Sequence, residues 1–315
     1  MVAPVTVYSS TSGLNTVLDP ERLVSGGESP GSGIELAEAV NVAIDERGLI
    51  GLRKGAELLQ AGKFHSLFCG TGSDCYVVHE RTSDAAIMRV AEDGSLKGVR
   101  SGLDKNRRMA WCAVNGDIFY SNGVQNGFIR DGRSNPWRAT PYKGPTADWH
   151  FEGRVPLASH IAFRPGGQMI LADGPAVWIN HEPFQFGLWS KAQGYIGFDS
   201  DVTMLAVVRD GFFASDRFRT WFFAKLDSGW YHYRQSLVDT APVLFGSLAY
   251  DTVSLTEVGF EQLGFACVWA TTEGIVLGAD GGTIVKVSKG KVAYPDGRTT
   301  GACVVNDNII YNYSR

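Results

Sequence analysis

The sequence lacks the features that mark several large classes of protein. No apolar run reaches the roughly 18 residues of a membrane-spanning helix. The start, MVAPVTVYSS, has neither the basic nor the apolar region of a signal peptide. Charges of the two signs nearly balance, with a net charge of −4, so no basic surface for nucleic acid is indicated. We therefore expect neither a membrane segment nor specific nucleic-acid binding.

Cysteine is scarce, with five residues in a chain of 315. An odd number without regular spacing does not indicate a disulfide framework. Cys112, Cys267 and Cys303 lie in the apolar contexts WCAV, ACVW and ACVV, where a thiol behaves as a small buried hydrophobe. Cys69 and Cys75 flank a Gly-rich turn. We expect all five to be reduced and structural, in a protein that folds in a reducing cytoplasm.

Motifs for catalysis and metal binding are missing as well. There is no Gly-x-Ser-x-Gly nucleophile elbow, and the six histidines occur singly, without metal-ligand spacing. The GTG at 70–72 lacks the Lys-Ser/Thr ending of a phosphate loop and predicts a hairpin turn. Asp199, Asp201 and Asp216 leave two alternatives, glycosidase carboxylates or solvated turn residues, and the second is favoured. We expect no metal, no cofactor and no enzymatic activity.

Turns, in contrast, are abundant, with 38 glycines and 12 prolines. Tight-turn signals recur about every 45 residues in two offset series. The first series is GTGS (70–73), NG (115–116), GG (166–167), DG (210–211), EG (273–274) and NDN (306–308). The second is DERG (45–48), EDG (92–94), DG (131–132), HEP (181–183), DSG (227–229) and KG (289–290). Such a period, with several short strands in each unit, is typical of a β-propeller.

The strands between these turns predict the blades. Five four-strand units are expected at 65–102, 108–137, 160–198, 202–237 and 265–295. Because the second series of turns starts and ends before the first, the C-terminal strands (300–314) are predicted to share a sixth blade with strands at 37–54. The expected fold is therefore all-β, a single six-bladed β-propeller closed by its termini, with five or seven blades as alternatives.

Two stretches fall outside these units. Residues 1–35, rich in Gly, Ser and Pro, are predicted to form an extended arm preceding a propeller domain at 36–315. Residues 238–262 are predicted to be an insertion between the fourth and fifth blades.

Large aromatic residues are concentrated in the fourth predicted blade. Strand alternation turns about half of these rings towards the core. The outward half forms a contact patch for another protein if it is exposed. Packing between sheets is the favoured alternative, and a sugar-binding platform is a further one. The candidate partner-contact residues are Trp221, Phe223, Trp230, Tyr231 and Tyr233.

Four stretches carry a resemblance to a known family: NVAIDERGLIGLRKG (41–55), FHSLFCG (64–70), AVNGDIFYSNG (113–123) and VWATTEGIVLGADGGTIVKVSKGK (268–291). They resemble hairpins of virion structural proteins from tailed bacteriophages, including propeller-like nozzle and genome-stabilising components of short-tailed phages. The resemblance implies a non-enzymatic virion protein of the tail or head–tail region, made in the host bacterial cytoplasm. It also implies several copies in a symmetric assembly, holding other tail proteins through the loops and the arm. A carbohydrate-binding or glycosidase-like propeller acting at the host surface is the alternative.

Overall fold

The structure is a computed structural model. It describes residues 58–70, 75–140, 151–229, 232–244 and 265–287, with short segments at 13–14, 16, 35–36, 38, 42–44, 50–52, 253–254, 301–306 and 309–314. One helical element occurs in these residues, the 3₁₀ turn η1 at Asp280–Gly282. None of the helical structure in this part of the chain is long and apolar enough to cross a membrane.

Four short strands come first in the chain: β1 (Gly13–Leu14), β2 (Glu35–Leu36), β3 (Val42–Ile44) and β4 (Ile50–Leu52). β1 pairs in parallel with β2, so the described part of the predicted arm contributes to a two-stranded sheet. β3 and β4 form an antiparallel pair around the predicted turn at 45–48, which itself lies outside the described residues.

The next four units each form a four-stranded antiparallel meander, as predicted. Sheet 1 contains β5 (Lys63–Cys69), β6 (Cys75–Glu80), β7 (Ala85–Val90) and β8 (Leu96–Leu103). Sheet 2 contains β9 (Ala110–Val114), β10 (Asp117–Ser121), β11 (Asn126–Arg130) and β12 (Arg133–Asn135). Sheet 3 contains β13 (His160–Arg164), β14 (Gln168–Asp173), β15 (Ala176–Ile179) and β16 (Tyr195–Gly197). Sheet 4 contains β17 (Met204–Val207), β18 (Gly211–Ser215), β19 (Thr220–Lys225) and β20 (Tyr233–Val238).

The turn between β9 and β10 shows why local sequence predicts these meanders well. Asn115 has φ 51° and Gly116 has φ 86°. A two-residue type I′ turn needs positive φ at both central positions, and Asn-Gly supplies it at low cost. Val114 and Asp117 consequently face each other as the first pair of the ladder.

Sheet 5 differs from its predicted strand order. It contains β21 (Val253–Ser254), β22 (Phe265–Thr271), β23 (Gly274–Ala279) and β24 (Ile284–Lys286), and β21 precedes β22 in the sheet. Val243 also forms an isolated bridge with Thr271. Part of the predicted insertion at 238–262 therefore pairs with β22, the strand that the sequence predicts to come first in this sheet. Because β22 is buried along its length, both of its edges need backbone partners. The predicted strand KVAYP (291–295) lies outside the described residues.

Successive sheets pack face to face and bury their apolar side chains between them. The first strands of sheets 2, 3 and 4 are neighbours, and β17 approaches β22 of sheet 5. The largest fully buried side chains in these layers are Tyr76, Tyr120, Trp189, Phe212, Phe213, Phe222, Phe223 and Trp269. Consecutive four-stranded meanders packed in this way constitute an all-β fold of the propeller type.

The two ends of the chain each contribute a separate hairpin. β25 (Gly301–Asn306) and β26 (Ile309–Ser314) form an antiparallel pair, as β3 and β4 do. Among the described ladders these are separate two-stranded sheets. The number of blades and the closing of a ring by shared terminal strands thus stay predictions.

The cysteines correct one expectation. Cys69 and Cys75 face each other across β5 and β6 and are joined by a disulfide, so the prediction that every cysteine is reduced is wrong for this pair. Register decides the pairing, since directly opposed strand residues bring their Cβ atoms close together. Cys112 and Cys267 are free and buried, as predicted, and burial raises the pKa of the Cys112 thiol to about 12. The side chain of Cys303 lies outside the described part of the chain.

Candidate functional site

A cavity lined by both polar and apolar residues opens at one edge of sheets 2, 3 and 4. Loops that lead into β9, β13 and β17 meet there with the turns that follow β10 and β14. The cavity has a volume of about 420 Å³, within the usual size range of small-molecule sites. Its polar lining includes Arg107, Arg108, Asn122, His160, Asp173 and Asp201.

Backbone hydrogen bonds fix the loops that form this cavity. Ser159 N–H donates to the carbonyl of Ala172 at 2.7 Å, where β13 meets β14. The N–H of Val202 donates to the carbonyl of Gly174 at 2.9 Å, which ties sheet 3 to the segment entering sheet 4. Gly174 has φ 56°, and a Cβ built there would lie 3.6 Å from Asp201 Oδ1. These bonds place Asp173 and Asp201 on the same side of the cavity.

His160 lies at the start of β13, with only 4% of its surface exposed. Its Nδ1 is 3.0 Å from Ser159 Oγ, and the ring also hydrogen-bonds to the backbone of Thr203. Burial, helped by the positive charge of Arg108, lowers the pKa of His160 to about 4. The imidazole is therefore neutral at pH 7.

Arg108 lies next to His160 and is exposed. Within the described residues its guanidinium is recorded in no hydrogen bond or ion pair, although it lines the cavity. Its charge also acts on His65 at the start of sheet 1, whose pKa is lowered mainly by burial. Among the described residues Arg108 is thus a cation without a partner, and its charge acts on two histidines from different sheets.

Asp173 and Asp201 supply negative charge on the other side of the cavity. Asp173 is half-buried, and desolvation raises the pKa of its carboxyl group, against a backbone hydrogen bond from Leu157 and the charge of Arg154. Asp201 is exposed. The two carboxylates can accept hydrogen bonds from hydroxyl or amino groups of a ligand.

A buried carboxylate supports the loop that carries Arg108. The side chain of Glu80 is 3% exposed and forms an ion pair with Lys63. Glu80 Oε1 accepts a 2.7 Å hydrogen bond from Asn106 N–H and lies 3.4 Å from His65 Nε2. Lys63 Nζ also donates to Asn106 Oδ1 at 3.1 Å. This cluster attaches residues 104–109 to sheet 1 and so helps to position Arg108.

The three aspartates considered in the sequence have different environments. Asp199 is exposed, in keeping with a solvated turn. Asp216 is only 1% exposed, and its Oδ1 accepts 2.8 Å hydrogen bonds from the N–H groups of Phe218 and Arg219, so it is a buried turn residue rather than a solvated one. Only Asp201 lines the cavity. Its neighbour there is Asp173, which the sequence analysis did not single out.

The described members of the predicted aromatic contact set pack against their own sheet and against sheet 3 and the segment that follows it. Phe223 is 2% exposed and stacks on Phe212 with ring centroids 4.8 Å apart, so burial leaves its ring no surface for a partner. Tyr233 is partly buried, and its hydroxyl donates to Gln168 Oε1 at 2.5 Å. Trp221 meets Phe198 edge to face at 5.2 Å.

This arrangement corresponds to the inter-sheet alternative. Trp221 stays partly exposed, and partner contact through its ring remains a prediction. Trp230 and Tyr231 lie outside the described residues.

Few features of the sequence indicate this cavity. Arg108 and His160 are separated by 52 positions, and nothing local pairs them. The sequence does contain one usable signal. Both residues lie immediately before or at the first strand of a sheet, and the starts of these strands converge when meanders pack together. Of the residues that the structure describes, no group of three His, Cys, Asp or Glu side chains is arranged to hold a metal ion.

Comparison with solved structures finds proteins whose fold is similar to that of this chain. No protein-family profile matches the chain, and no curated protein sequence matches it. A gluconolactonase from Xanthomonas campestris is 12% identical, with 74% of this chain and 76% of that chain covered and a TM-score of 0.45. A putative 6-phosphogluconolactonase from Bacteroides uniformis is 11% identical over 86% of this chain and 80% of that chain, with a TM-score of 0.46. Hsv2 from Kluyveromyces lactis is 11% identical over 67% of this chain, with a TM-score of 0.38, and the match spans 58% of its length.

These names correct the expectation that the chain has no enzymatic activity. The expectation relied on missing motifs and on the resemblance to virion proteins. Two of the similar solved structures carry the names of lactonases, so a fold of this kind gives no ground for excluding catalysis. At 11–12% identity the likeness extends to the fold alone.

Proposed function

We propose that this protein is a structural component of a tailed-bacteriophage virion, in the tail or head–tail region, where it holds neighbouring subunits through its loops. The resemblance of its hairpins to those of virion proteins carries the proposal. AVNGDIFYSNG (113–123) coincides with the hairpin of β9 and β10 in sheet 2. VWATTEGIVLGADGG (268–282) coincides with β22, β23 and η1 in sheet 5. The similar segments are thus hairpins of different sheets, which supports likeness in the whole array.

Mass spectrometry of purified particles tests this role. Particles from bacteria that carry the gene are separated from free protein on a density gradient, and the chain is quantified against the major capsid protein. We expect it to sediment with the particles at a constant ratio. If it is present in the lysate but missing from the particles, the virion proposal fails.

The proposed architecture is a ring of six blades. The five four-stranded sheets account for five of them, and the two terminal hairpins, β3–β4 and β25–β26, have the strands for a sixth. Joining them removes two free sheet edges, which otherwise favour aggregation. Deletion of residues 300–315 should therefore cause aggregation or a large loss of melting temperature. An unchanged melting curve contradicts closure.

A second candidate function is carbohydrate binding at the host surface, which the cavity favours. Two carboxylates and a free guanidinium around about 420 Å³ offer charged acceptors and donors for a hydroxyl-rich ligand. Titration of the purified protein with monosaccharides, followed by NMR, tests it. Shifts confined to signals from residues around the cavity support the candidate, and no shift with any sugar contradicts it.

A further inference from the structure

The charges around the cavity are separated into two sides. Arg107 and Arg108 lie on the loop entering sheet 2, whereas Asp173 and Asp201 lie at the end of β14 and on the loop entering sheet 4. A ligand that satisfies both sides needs an acceptor or negative charge at one end and hydrogen-bond donors at the other.

Among the described residues, the guanidinium of Arg108 has no partner. Arg108 forms no ion pair or hydrogen bond in the part of the chain that the structure describes, and the carboxylate of Glu80 is occupied by Lys63, His65 and Asn106. A guanidinium binds carboxylate or phosphate with two parallel hydrogen bonds, which are stronger than those between neutral groups. Arg108 is therefore positioned to receive an anion from outside the chain.

The neighbouring histidines do not compete for that anion. His160 and His65 lie beside Arg108, and the pKa of each is lowered, mainly by burial. Both imidazoles are neutral near pH 7, so the positive charge on this side comes from the arginines. Arg107 is exposed on the same loop and provides a matched residue for comparison.

The anionic side limits the charge of the ligand. Asp173 and Asp201 repel a compact polyanion such as inorganic phosphate, but they accept hydrogen bonds from hydroxyl groups. The volume of about 420 Å³ suits a ligand of monosaccharide size.

From this arrangement we propose that the cavity binds an acidic sugar, with its carboxylate paired to Arg108 and its hydroxyl groups donating to Asp173 and Asp201. The inference rests on the carbohydrate-binding candidate above and specifies the class of sugar. It is independent of the virion proposal.

Three sugars of similar size and different charge test the inference. The probes are D-glucuronate, D-glucose and D-glucosamine, titrated into the full-length protein at pH 7.5 with NMR detection, and inorganic phosphate serves as a fourth probe. We expect glucuronate to bind at least tenfold more tightly than glucose. Phosphate and glucosamine should bind more weakly than glucuronate.

Variants of the two arginines locate the anion. Arg108→Gln should weaken glucuronate binding roughly tenfold to a hundredfold, the range expected for losing a charge-assisted hydrogen bond, and weaken glucose binding by a clearly smaller factor. Arg108→Lys should give an intermediate loss, and Arg107→Gln only a small one. Melting curves of each variant show that the fold is retained.

The pKa of His160 provides a second test of whether the anion binds beside Arg108. The positive charge of this arginine helps to lower the pKa of His160, so an anion bound there should raise that pKa. The ring-proton shift of His160, followed against pH with and without glucuronate, measures the change. The His232 ring, exposed on sheet 4, serves as the control.

Each other outcome has a defined meaning. If glucose and glucuronate bind equally and Arg108→Gln changes neither, carbohydrate binding stands and the acidic-sugar inference is overturned. Tightest binding of glucosamine, or phosphate binding as tight as glucuronate, also overturns it. If no sugar binds to the folded protein, the inference and the carbohydrate candidate both fail, while the virion proposal is unaffected.

Discussion

Sheets 1 and 2 combine an apolar cluster around Trp111 with side-chain hydrogen bonds to β5, whereas sheets 4 and 5 meet at a cluster dominated by large rings. On the polar side, Ser66 Oγ accepts a hydrogen bond from Met109 N–H and Ser66 O accepts one from Trp111 Nε1, each at 2.9 Å. On the aromatic side, the ring of Phe213 lies 4.9 Å from that of Phe222 and 5.2 Å from that of Trp269. The hydrogen bonds depend on the direction of donor and acceptor, whereas the ring contacts depend on filling the available volume.

The two kinds of contact affect the neighbouring backbone differently. Aromatic rings fill the space between sheets, and a Cβ built at Gly278 would approach a carbon of the Phe213 ring to 2.8 Å. The hydrogen bonds to Ser66 instead hold the backbone at Met109, just before β9, in a fixed position. Ser66 has φ 53° at a register shift in β5, and this bulge directs it towards β9. Because Met109 N–H is hydrogen-bonded to Ser66 Oγ, this bulge also helps to position the adjacent loop that carries Arg108.

Removing a ring from the aromatic side should have the largest effect. Phe213→Ala empties a fully buried position between Phe222 and Trp269. We expect the free energy of unfolding to fall by about 3–5 kcal/mol, measured by denaturant titration. Phe218→Ala, at a ring that is 62% exposed, is the control and should change it by less than about 0.5 kcal/mol. Equal effects at the two positions would refute the packing described.

Acid should act at the cavity through His160. Its pKa is about 4 when folded and near 6.5 when unfolded, so the unfolded chain binds the proton first as pH falls. The neutral buried ring contributes its full stability above pH 6.5, and this contribution declines towards pH 4, by roughly 3 kcal/mol in total.

Stability measured against pH in His160→Asn checks this prediction. The difference from wild type should shrink as pH falls from 7 to 4, whereas His232→Asn, at an exposed ring, should follow the wild-type curve. A constant difference across that range would mean that His160 is not held neutral by the fold.

The smallest effect is expected from one hydroxyl at the polar interface. Tyr120 Oη accepts a 2.7 Å hydrogen bond from Arg100 and lies 2.6 Å from Ser134 Oγ, in a fully buried position. Tyr120→Phe should lower the free energy of unfolding by about 1–2 kcal/mol. Tyr195→Phe, at a ring 36% exposed, should be close to neutral. If the two variants behave alike, the hydrogen bonds of Tyr120 do not stabilise this interface.

The sequence predicted the meanders well because their signals are local. Asn115-Gly116 requires positive φ, and the alternating residues around it can form only a hairpin with one register. Sheet 5 was less predictable, since β21 and β22 are separated by a segment without a turn signal of this strength. The Cys69–Cys75 disulfide was also missed, although the hairpin around it was expected.

By itself, the sequence determined the all-β class, the strands of the first four sheets and the burial of Cys112 and Cys267, because alternation and turn chemistry act within a few residues. The tertiary structure alone decided that Phe223 packs in a cluster shared with sheet 3 and that Tyr233 bonds to Gln168. It alone also decided that Arg108, His160, Asp173 and Asp201 surround one cavity. Those four residues come from two loops and two strands, and their proximity arises when whole sheets pack against each other. No spacing along the chain encodes that contact.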